Sequence, residues 1–370
     1  MAEQDDSADT PDPGRELAER VTFPEPPEPG FDIRGAQPRD LIRRGLPPRP
    51  DPDTSPLLAE IWDRMLLERP PESFFIPRLD FARPSADNAE PRGGAPLIGG
   101  GRWGTSENWS GAVIAARNDM RFAVAAAIWT VPVPQLPPGA SFKNLPANDD
   151  WRASFWVGLD GHRLASQSLP QIGTTIVIEG GKQPPVFRAY AWAQWWVRNR
   201  RFGEIEITNF DVAPGDTVIA WLTVISPVAV LFNIRNLSSP TMPGGILWAA
   251  GSPDVAKDPP GGDRSMAPVE GSAACWIAER PLSMPPPLAK VPDVLYPLPD
   301  FGSMTFDICA AGMTDPDDPV SPLIQRTLTA ARYIRMVEVA ADAPPRSRVI
   351  SAPKAPASGG PSMTIDYVAP

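Results

Sequence analysis

The sequence predicts an all-β sandwich over roughly residues 101–370, and three observations carry that prediction. From Asn108 onward, short segments rich in Val, Ile, Trp and Phe follow one another. Gly, Pro and Asp turns separate them. No regular helical pattern alternates with them, which argues for a sandwich and against an α/β fold.

The strand-like segments run NWSGAVIAA, RFAVAAAIWTVPVP, ASFWVGLDG, TTIVIEG, FRAYAWAQWWV, GEIEITNF, DTVIAWLTVIS and AVLFNIRNL, then SAACWIAERP, FGSMTFDICA and a terminal SMTIDYVAP. In GEIEITN, Ile205 and Ile207 face opposite to Glu204, Glu206 and Thr208. LIQRTLTAARYIRMVEV fits either a helix or a long strand, and residues 350–361 read as a surface loop. Fifty prolines fit this picture, since proline is excluded from helix interiors and central strands and favours turns and linkers.

Residues 1–100 form a separate, acidic and proline-rich segment. The segment is expected to be mostly disordered or extended, and residues 1 to about 30 read as disordered because they have too little apolar surface to fold alone. One short helix is predicted over 56–67, with Leu57, Leu58, Ile61, Trp62 and Met65 on one stripe, Ser55 as its cap and Pro70–Pro71 as its stop. That helix reads as an adaptor packed on the main domain or as part of a propeptide covering a groove. Residues 83–101 read as a linker.

Charge and composition exclude several functions. The formal net charge is −10, and the one dense basic run beyond the N-terminal third is Arg198, Arg200 and Arg201, so no nucleic-acid surface is expected. No stretch reaches 18 uninterrupted apolar residues, so no membrane span is expected. The start MAEQDDSADT lacks the apolar core of a classical secretory signal. His162 is the only histidine, which rules out a histidine-rich zinc site. A serine–histidine triad would need that residue, yet it sits in a GLDGHR turn and no GxSxG elbow accompanies it. No nucleotide-binding fingerprint, metal set or cofactor motif is present. Cys275 and Cys309 are compatible with one bridge or with two free thiols.

Tryptophans mark the remaining candidate site. Trp192 and Trp196 share a strand face with Gln194, while Trp195 points the other way. Trp156 and Asp160 share a face if their strand runs that far, and Trp276 lies three residues before Glu279. Indoles beside acid and amide groups suit a groove for a sugar chain or a peptide, and equally the core of a sandwich.

Taken in order, these motifs resemble the glutamic peptidases, or eqolisins. Asn108-Trp109-Ser110-Gly111 is similar to the family's opening N-W-(G/A/S)-G, and VAAAIWTVPVP to its second strand. Residues 156–161, WVGLDG, resemble W-V-G-I-D-G, and Gln171-Ile172-Gly173 resembles the Q-x-G setting of the catalytic glutamine. Residues 191–196, AWAQWW, resemble A-W-Y-E-W-Y, and APGDTVIA resembles E-G-D-x-I. Residues 274–279, ACWIAE, resemble A-E-W-I-x-E, whose last glutamate is catalytic. The resemblance spans about 105–370.

The resemblance implies a concanavalin-A-like sandwich of two curved antiparallel sheets, with a peptide cleft on the concave face. It implies an acid-active endopeptidase acting on polypeptide substrates without metal or cofactor. Gln171 and Glu279 would be the catalytic pair, with Asp160 in support and with Trp109, Trp156, Trp192, Gln194 and Cys275 lining the cleft. A glutamate, with a reference pKa of about 4.3, can serve as general base in acid. The chain departs from the family at Gln194 and Cys275, where glutamates are usual. Loss of ionised neighbours would lower the pKa of Glu279, and loss of protonated ones would change substrate positioning. The family is usually secreted, which the N-terminus here does not echo. Two rival readings are a carbohydrate-binding sandwich and a catalytically silent relative.

Overall fold

The structure is a computed structural model. It describes residues 18–67, 74–81, 92, 102–140, 150–162, 166–180, 184–198, 203–249, 268–283, 294–318, 321–339, 347–356 and 360–369. The linker expectation for 83–101 therefore lies, apart from residue 92, outside the described residues, as do Arg200 and Arg201.

The strands are β1 Val21–Thr22, β2 Phe74–Phe75, β3 Trp103–Ser106, β4 Trp109–Ala115, β5 Arg121–Thr130, β6 Asp150–Leu159, β7 Ser168–Glu179, β8 Val186–Val197, β9 Ile205–Glu206 and β10 Thr217–Ser226. They continue as β11 Ala229–Asn236, β12 Met242–Pro243, β13 Ile246–Ala249, β14 Ala273–Glu279, β15 Ser303–Thr314, β16 Ile324–Arg326, β17 Arg332–Val339, β18 Ser347–Lys354 and β19 Met363–Tyr367. Two helices, α1 Pro38–Arg43 and α2 Pro56–Leu66, precede the main domain. The α1 turn and the pairing of β1 with β13 were not anticipated in the N-terminal segment.

The predicted sandwich is present, and a single hydrogen-bonded ladder builds both of its layers. One layer runs β9-β8-β7-β6-β14-β4-β17. Strands β18 and β19 carry the ladder over to the second layer, β15-β5-β10-β11-β13-β1. All pairings are antiparallel except β3 with β17 and β2 with β12. The layers face each other across a core that includes Phe155, Ile172, Trp195 and Trp276 from the first, and Trp129, Val218, Leu222 and Phe306 from the second. Two indoles also donate across it, Trp129 Nε1 to Thr174 Oγ1 (3.1 Å) and Trp276 Nε1 to the Ala126 carbonyl (3.0 Å).

The long segment LIQRTLTAARYIRMVEV resolves into strand β16, a 3₁₀ turn at Leu328–Ala330 and strand β17. Its β-branched and aromatic residues pair, and the Thr-rich middle turns. Residues 350–354, read from their prolines as loop, instead belong to β18. Pro353 is tolerated because it pairs with Ile365 of β19, whereas the β17 pairing of that strand ends at Ser351. No ladder donor is lost on that side. Pro170 in β7 follows the same rule: it faces Trp195 of β8 but lies one residue beyond the last β6 partner, Gln171.

Alternation gives each layer an outer face. That of the second layer carries Val124, Ala126, Ile128, Ile219, Trp221, Ile308 and Ala310, and α2 covers it with Leu58, Ile61, Trp62, Met65 and Leu66. The helix runs as expected, but Ser55 does not cap it. Its hydroxyl donates to the Leu323 carbonyl (2.8 Å), and Gln325 Oε1 instead accepts from the amides of Leu57 (2.7 Å) and Leu58 (3.0 Å). Helix α2 thus sits on the side of the sandwich opposite to the residues described next.

Candidate active site

The outer face of the first layer collects the candidate residues. Register fixes which of them are neighbours. Glu279 opposes Trp109 on one side and Ser154 on the other, and Ser154 opposes Thr175, which opposes Tyr190. The next row on this face is Ile277, Trp156, Gly173 and Trp192. The third is Cys275, Gly158, Gln171 and Gln194. Gln171 and Glu279 therefore share a face, two strands and two rows apart, with Trp156 in the row between them.

Both side chains are buried. Glu279 is held by neutral donors: Trp156 Nε1 to Oε2 (2.8 Å) and Asn108 Nδ2 to Oε1 (3.2 Å). Asn108 is itself fixed, because its Oδ1 accepts from Ser106 Oγ (2.8 Å) and from the amide of Arg92 (2.7 Å). Gln171 Nε2 donates to Gln194 Oε1 (2.7 Å), so these amides form a pair. Trp109 packs edge-on against Trp156, with ring centroids 5.0 Å apart at 77°. The two glycines beside Trp156 make room for it: a Cβ on Gly173 would lie 2.6 Å from the Trp156 Cβ, and one on Gly158 would lie 3.0 Å from its ring.

Asp160 is placed elsewhere. The β6 strand ends at Leu159, and Asp160 adopts φ +67°, so it turns out of the row. Its carboxylate accepts from the amides of Glu270 (2.8 Å), Gly271 (3.0 Å) and Ser272 (2.6 Å) and from the Ser272 hydroxyl (2.8 Å). Burial pushes its pKa up, against the pull of these four bonds. It clamps the segment that leads into β14 and reaches neither Gln171 nor Glu279. Cys275 lies on the site face as a free thiol whose Sγ approaches the Asp160 carbonyl (3.5 Å), and burial, then the Asp160 charge, pushes its pKa well up. Cys309 is also free and lies in the core between the layers, so the two sulfurs are on opposite faces. Trp195 points into that core too, as alternation requires.

One buried acid escaped the sequence reading. Glu204, just ahead of β9, was assigned to the face opposite Ile205 with no role of its own. Here it is buried, accepting from Tyr190 Oη at Oε1 and from Thr175 Oγ1 (3.3 Å) at Oε2. Burial pushes its pKa up to about 7, while the Tyr190 hydrogen bond, the Arg152 charge and the Thr175 hydrogen bond pull it down, and the nearby Glu206 charge adds to the rise. Period-2 alternation identified the face; only the paired strands show that this face is covered.

Among the described residues, no three His, Cys, Asp or Glu side chains converge in a way that could hold a metal ion. Buried polar residues among indoles, including an amide pair and a carboxylate held by neutral donors, form an arrangement suited to polarising a water or a carbonyl.

Comparison with known proteins supplies the context. Three of the solved structures similar to this chain are the following. A Scytalido-glutamic peptidase bound to a peptide-based transition-state analogue is 15% identical, with a TM-score of 0.49 over 71% of this chain and 98% of that one. SCP-B, an eqolisin in complex with the tripeptide Ala-Ile-His, is 15% identical, with a TM-score of 0.46 over 71% and 98%. Aspergilloglutamic peptidase from Aspergillus niger is 19% identical, with a TM-score of 0.35 over 59% and 99%. No curated protein matches. The Peptidase A4 family matches residues 107–332, a stretch that runs from Glu107 beside the first motif to Arg332 at the start of β17 and includes both Gln171 and Glu279. With more than half of its length matched, the chain belongs to that family, the glutamic peptidases or eqolisins.

Proposed function

We propose that this protein is an acid-active endopeptidase in which Glu279 and Gln171 carry the chemistry. The observation that supports this most is the setting of Glu279: a buried carboxylate whose Oε2 accepts from an indole and whose Oε1 accepts from an amide, donors that fix its direction. A carboxylate has roughly four acceptor sites, so it can hold a water while keeping both donors.

In this reading an extended polypeptide binds along the outer face of the first layer. Glu279, ionised, takes a proton from water, and the water oxygen attacks the scissile carbonyl. Gln171 donates from Nε2 to the developing oxyanion. An amide suits this role because it is neutral in acid and cannot be lost to protonation. The protonated Glu279 then passes its proton to the leaving amine, which restores the starting state. Gln194 orients Gln171 through their 2.7 Å hydrogen bond. Where the family usually has a glutamate, an amide at 194 lets Gln171 keep a donor pointed at an acceptor at every pH. Trp156 holds Glu279 directly, and Trp109 holds Trp156.

The test is digestion of an unfolded protein substrate from about pH 2 to about pH 7. Cleavage should peak in acid and fall roughly 10⁴-fold in Glu279→Gln, which removes the acid–base group. It should fall about 10²- to 10³-fold in Gln171→Ala, which removes one oxyanion donor. Full activity in both folded variants, or none at any pH in folded wild type, overturns the reading.

A further inference from the structure

The catalytic face carries a second hydrogen-bonded chain that the mechanism above does not use. Glu204, Thr175 and Ser154 are all buried, and Ser154 stands directly across from Glu279 in the ladder. Thr175 Oγ1 is the hub, with Trp192 Nε1 at 2.9 Å, Ser154 Oγ at 2.7 Å and Glu204 Oε2 at 3.3 Å.

The hydrogens in this chain can be counted. An indole N–H only donates, so Thr175 accepts from Trp192 in every state. The Thr175 hydroxyl has one hydrogen and two neighbours that could take it. When Glu204 is ionised, both its oxygens accept, from Tyr190 and from Thr175. The Ser154 hydrogen then turns to the vacant lone pair of Thr175, away from the Glu279 side. When Glu204 is protonated at Oε2, it donates to Thr175. The Thr175 hydrogen moves to Ser154 Oγ, and the Ser154 hydrogen is released toward its other neighbours on the face. Tyr190 holds the far end still, since its Oη lies 3.4 Å from Arg152 Nη1 and donates to Glu204 Oε1.

We propose that Glu204 is a positioning residue of the peptidase site: its proton sets the direction of the Thr175–Ser154 hydroxyl pair, and so decides whether Ser154 donates toward Thr175 or is released toward the Glu279 side. The proposal rests on the peptidase reading of that row. The charged and titratable groups around Glu204 are Tyr190 and Arg188 on β8, Arg152 and Asp150 on β6, Glu179 on β7, Glu206 on β9 and, across Ser154, Glu279 on β14. Arg188 is engaged by Glu179 (3.0 Å) and Glu206 (3.7 Å), and Arg152 by Asp150 (2.9 Å). The burial of Glu204 favours its neutral form in acid, where the peptidase would work. The carboxyl at 204 thus stands near a site from which the family glutamates at 194 and 275 are absent.

Two readouts test this. The first needs no catalysis. In a proton–nitrogen spectrum of the full chain, the Trp192 indole resonance should titrate between acid and neutral pH in wild type, because its acceptor Thr175 reorients, and should stay flat in Glu204→Gln. The second is the pH–rate profile. Glu204→Gln mimics the protonated state at all pH, so its descending limb should move to higher pH, with about tenfold more activity relative to its own optimum one pH unit above the wild-type inflection. Ser154→Ala removes the end of the chain, so adding Glu204→Gln to it should shift nothing further; this variant also serves if Glu204→Gln alone folds poorly. A Trp192 resonance that does not titrate in wild type, or descending limbs that superpose, overturns the proposal. A wild type that cleaves nothing while its Trp192 resonance titrates sinks the peptidase reading and leaves the relay standing.

Discussion

The two outer faces of the sandwich are built alike and filled differently. Each is the side of an antiparallel layer turned away from the shared core, and each is buried. On the second layer the outward positions are mostly Val, Ala, Ile and Trp sealed by an amphipathic helix, with the buried polar residues Asn233, Arg235 and Thr223 at its β10–β11 side, where Arg235 Nη1 donates to the Met65 carbonyl of α2 and Asn233 Nδ2 to the Gly45 carbonyl (2.7 Å). On the first layer the outward positions alternate indoles with Gln171, Gln194, Ser154, Thr175 and Glu279, and Glu204 reaches in beside them. Burial of apolar area stabilises the fold in proportion to that area, whereas each buried polar group costs desolvation that its hydrogen bonds only offset. A face that retains so many polar groups gains less stability for the area it buries, and the more apolar sealed face opposite offsets this.

Removing the centre of the seal is the strongest way to break that comparison. Trp62 is fully buried on α2, its Nε1 donates to the Pro47 carbonyl (2.8 Å), and Arg49 lies over its ring while pairing with Asp63 (3.0 Å). Trp62→Ala should cost about 3–5 kcal/mol of stability, read as a fall in the denaturant midpoint. It should leave the pH dependence of cleavage in the surviving folded fraction untouched, since α2 lies on the far side of the core. A loss below about 1 kcal/mol would mean that the helix is an ornament on the second layer, and that the sandwich is stable without it.

The same contrast explains what could be read from the sequence. The sandwich, the α2 stripe and the face shared by Trp192, Trp196 and Gln194 follow from periodicities of 2 and 3.6, which local sequence encodes. Periodicity also put Glu204 with Glu206 and Thr208, but it cannot say whether a face meets water or another side chain. That depends on β8 and β7 lying alongside, a long-range fact. The helix cap failed for the same reason: Ser55 has the right chemistry, yet Gln325, distant in sequence, arrives through β16 and takes the position. Asp160 shows the opposite limit. Its place on the Trp156 face depends on how far the strand runs; the strand stops at Leu159, and the Asp160 carboxylate clamps the 270–272 segment.

An intermediate effect sharpens the comparison through pH. The Glu204 carboxyl is pushed up to about 7 in the fold, against an ordinary value of 4.5. The folded chain therefore holds this proton more tightly than the unfolded chain. Below about 4.5 both states carry it and its contribution to stability is fully present. As pH rises from there toward 7, the unfolded chain loses the proton first and stability falls, levelling off above 7. The fall amounts to about 3 kcal/mol over the window. Unfolding curves measured across that range should show it in wild type and lack that part in Glu204→Gln, and parallel curves for the two would place the carboxyl in a wetter setting than the fold indicates. Trp62→Ala removes no titratable group, so it should shift its curve by a nearly constant amount.

The smallest test returns to the helix. Gln325 Oε1 accepts from two amides in the first turn of α2, which no local residue satisfies. Gln325→Ala should cost about 1 kcal/mol, the usual worth of an N-cap. Gln325→Glu should recover that loss, because a carboxylate accepts from the same amides and suits the positive end of the helix dipole. The recovery should weaken in high salt and as the side chain is protonated in acid. If both variants match wild type, water caps the helix as well as Gln325 does, and the tie between β16 and α2 contributes orientation without stability. If Ala costs the expected amount and Glu restores it, Gln325 adds a stabilising tie at the edge of the sealed face to the Ser55–Leu323 contact already there.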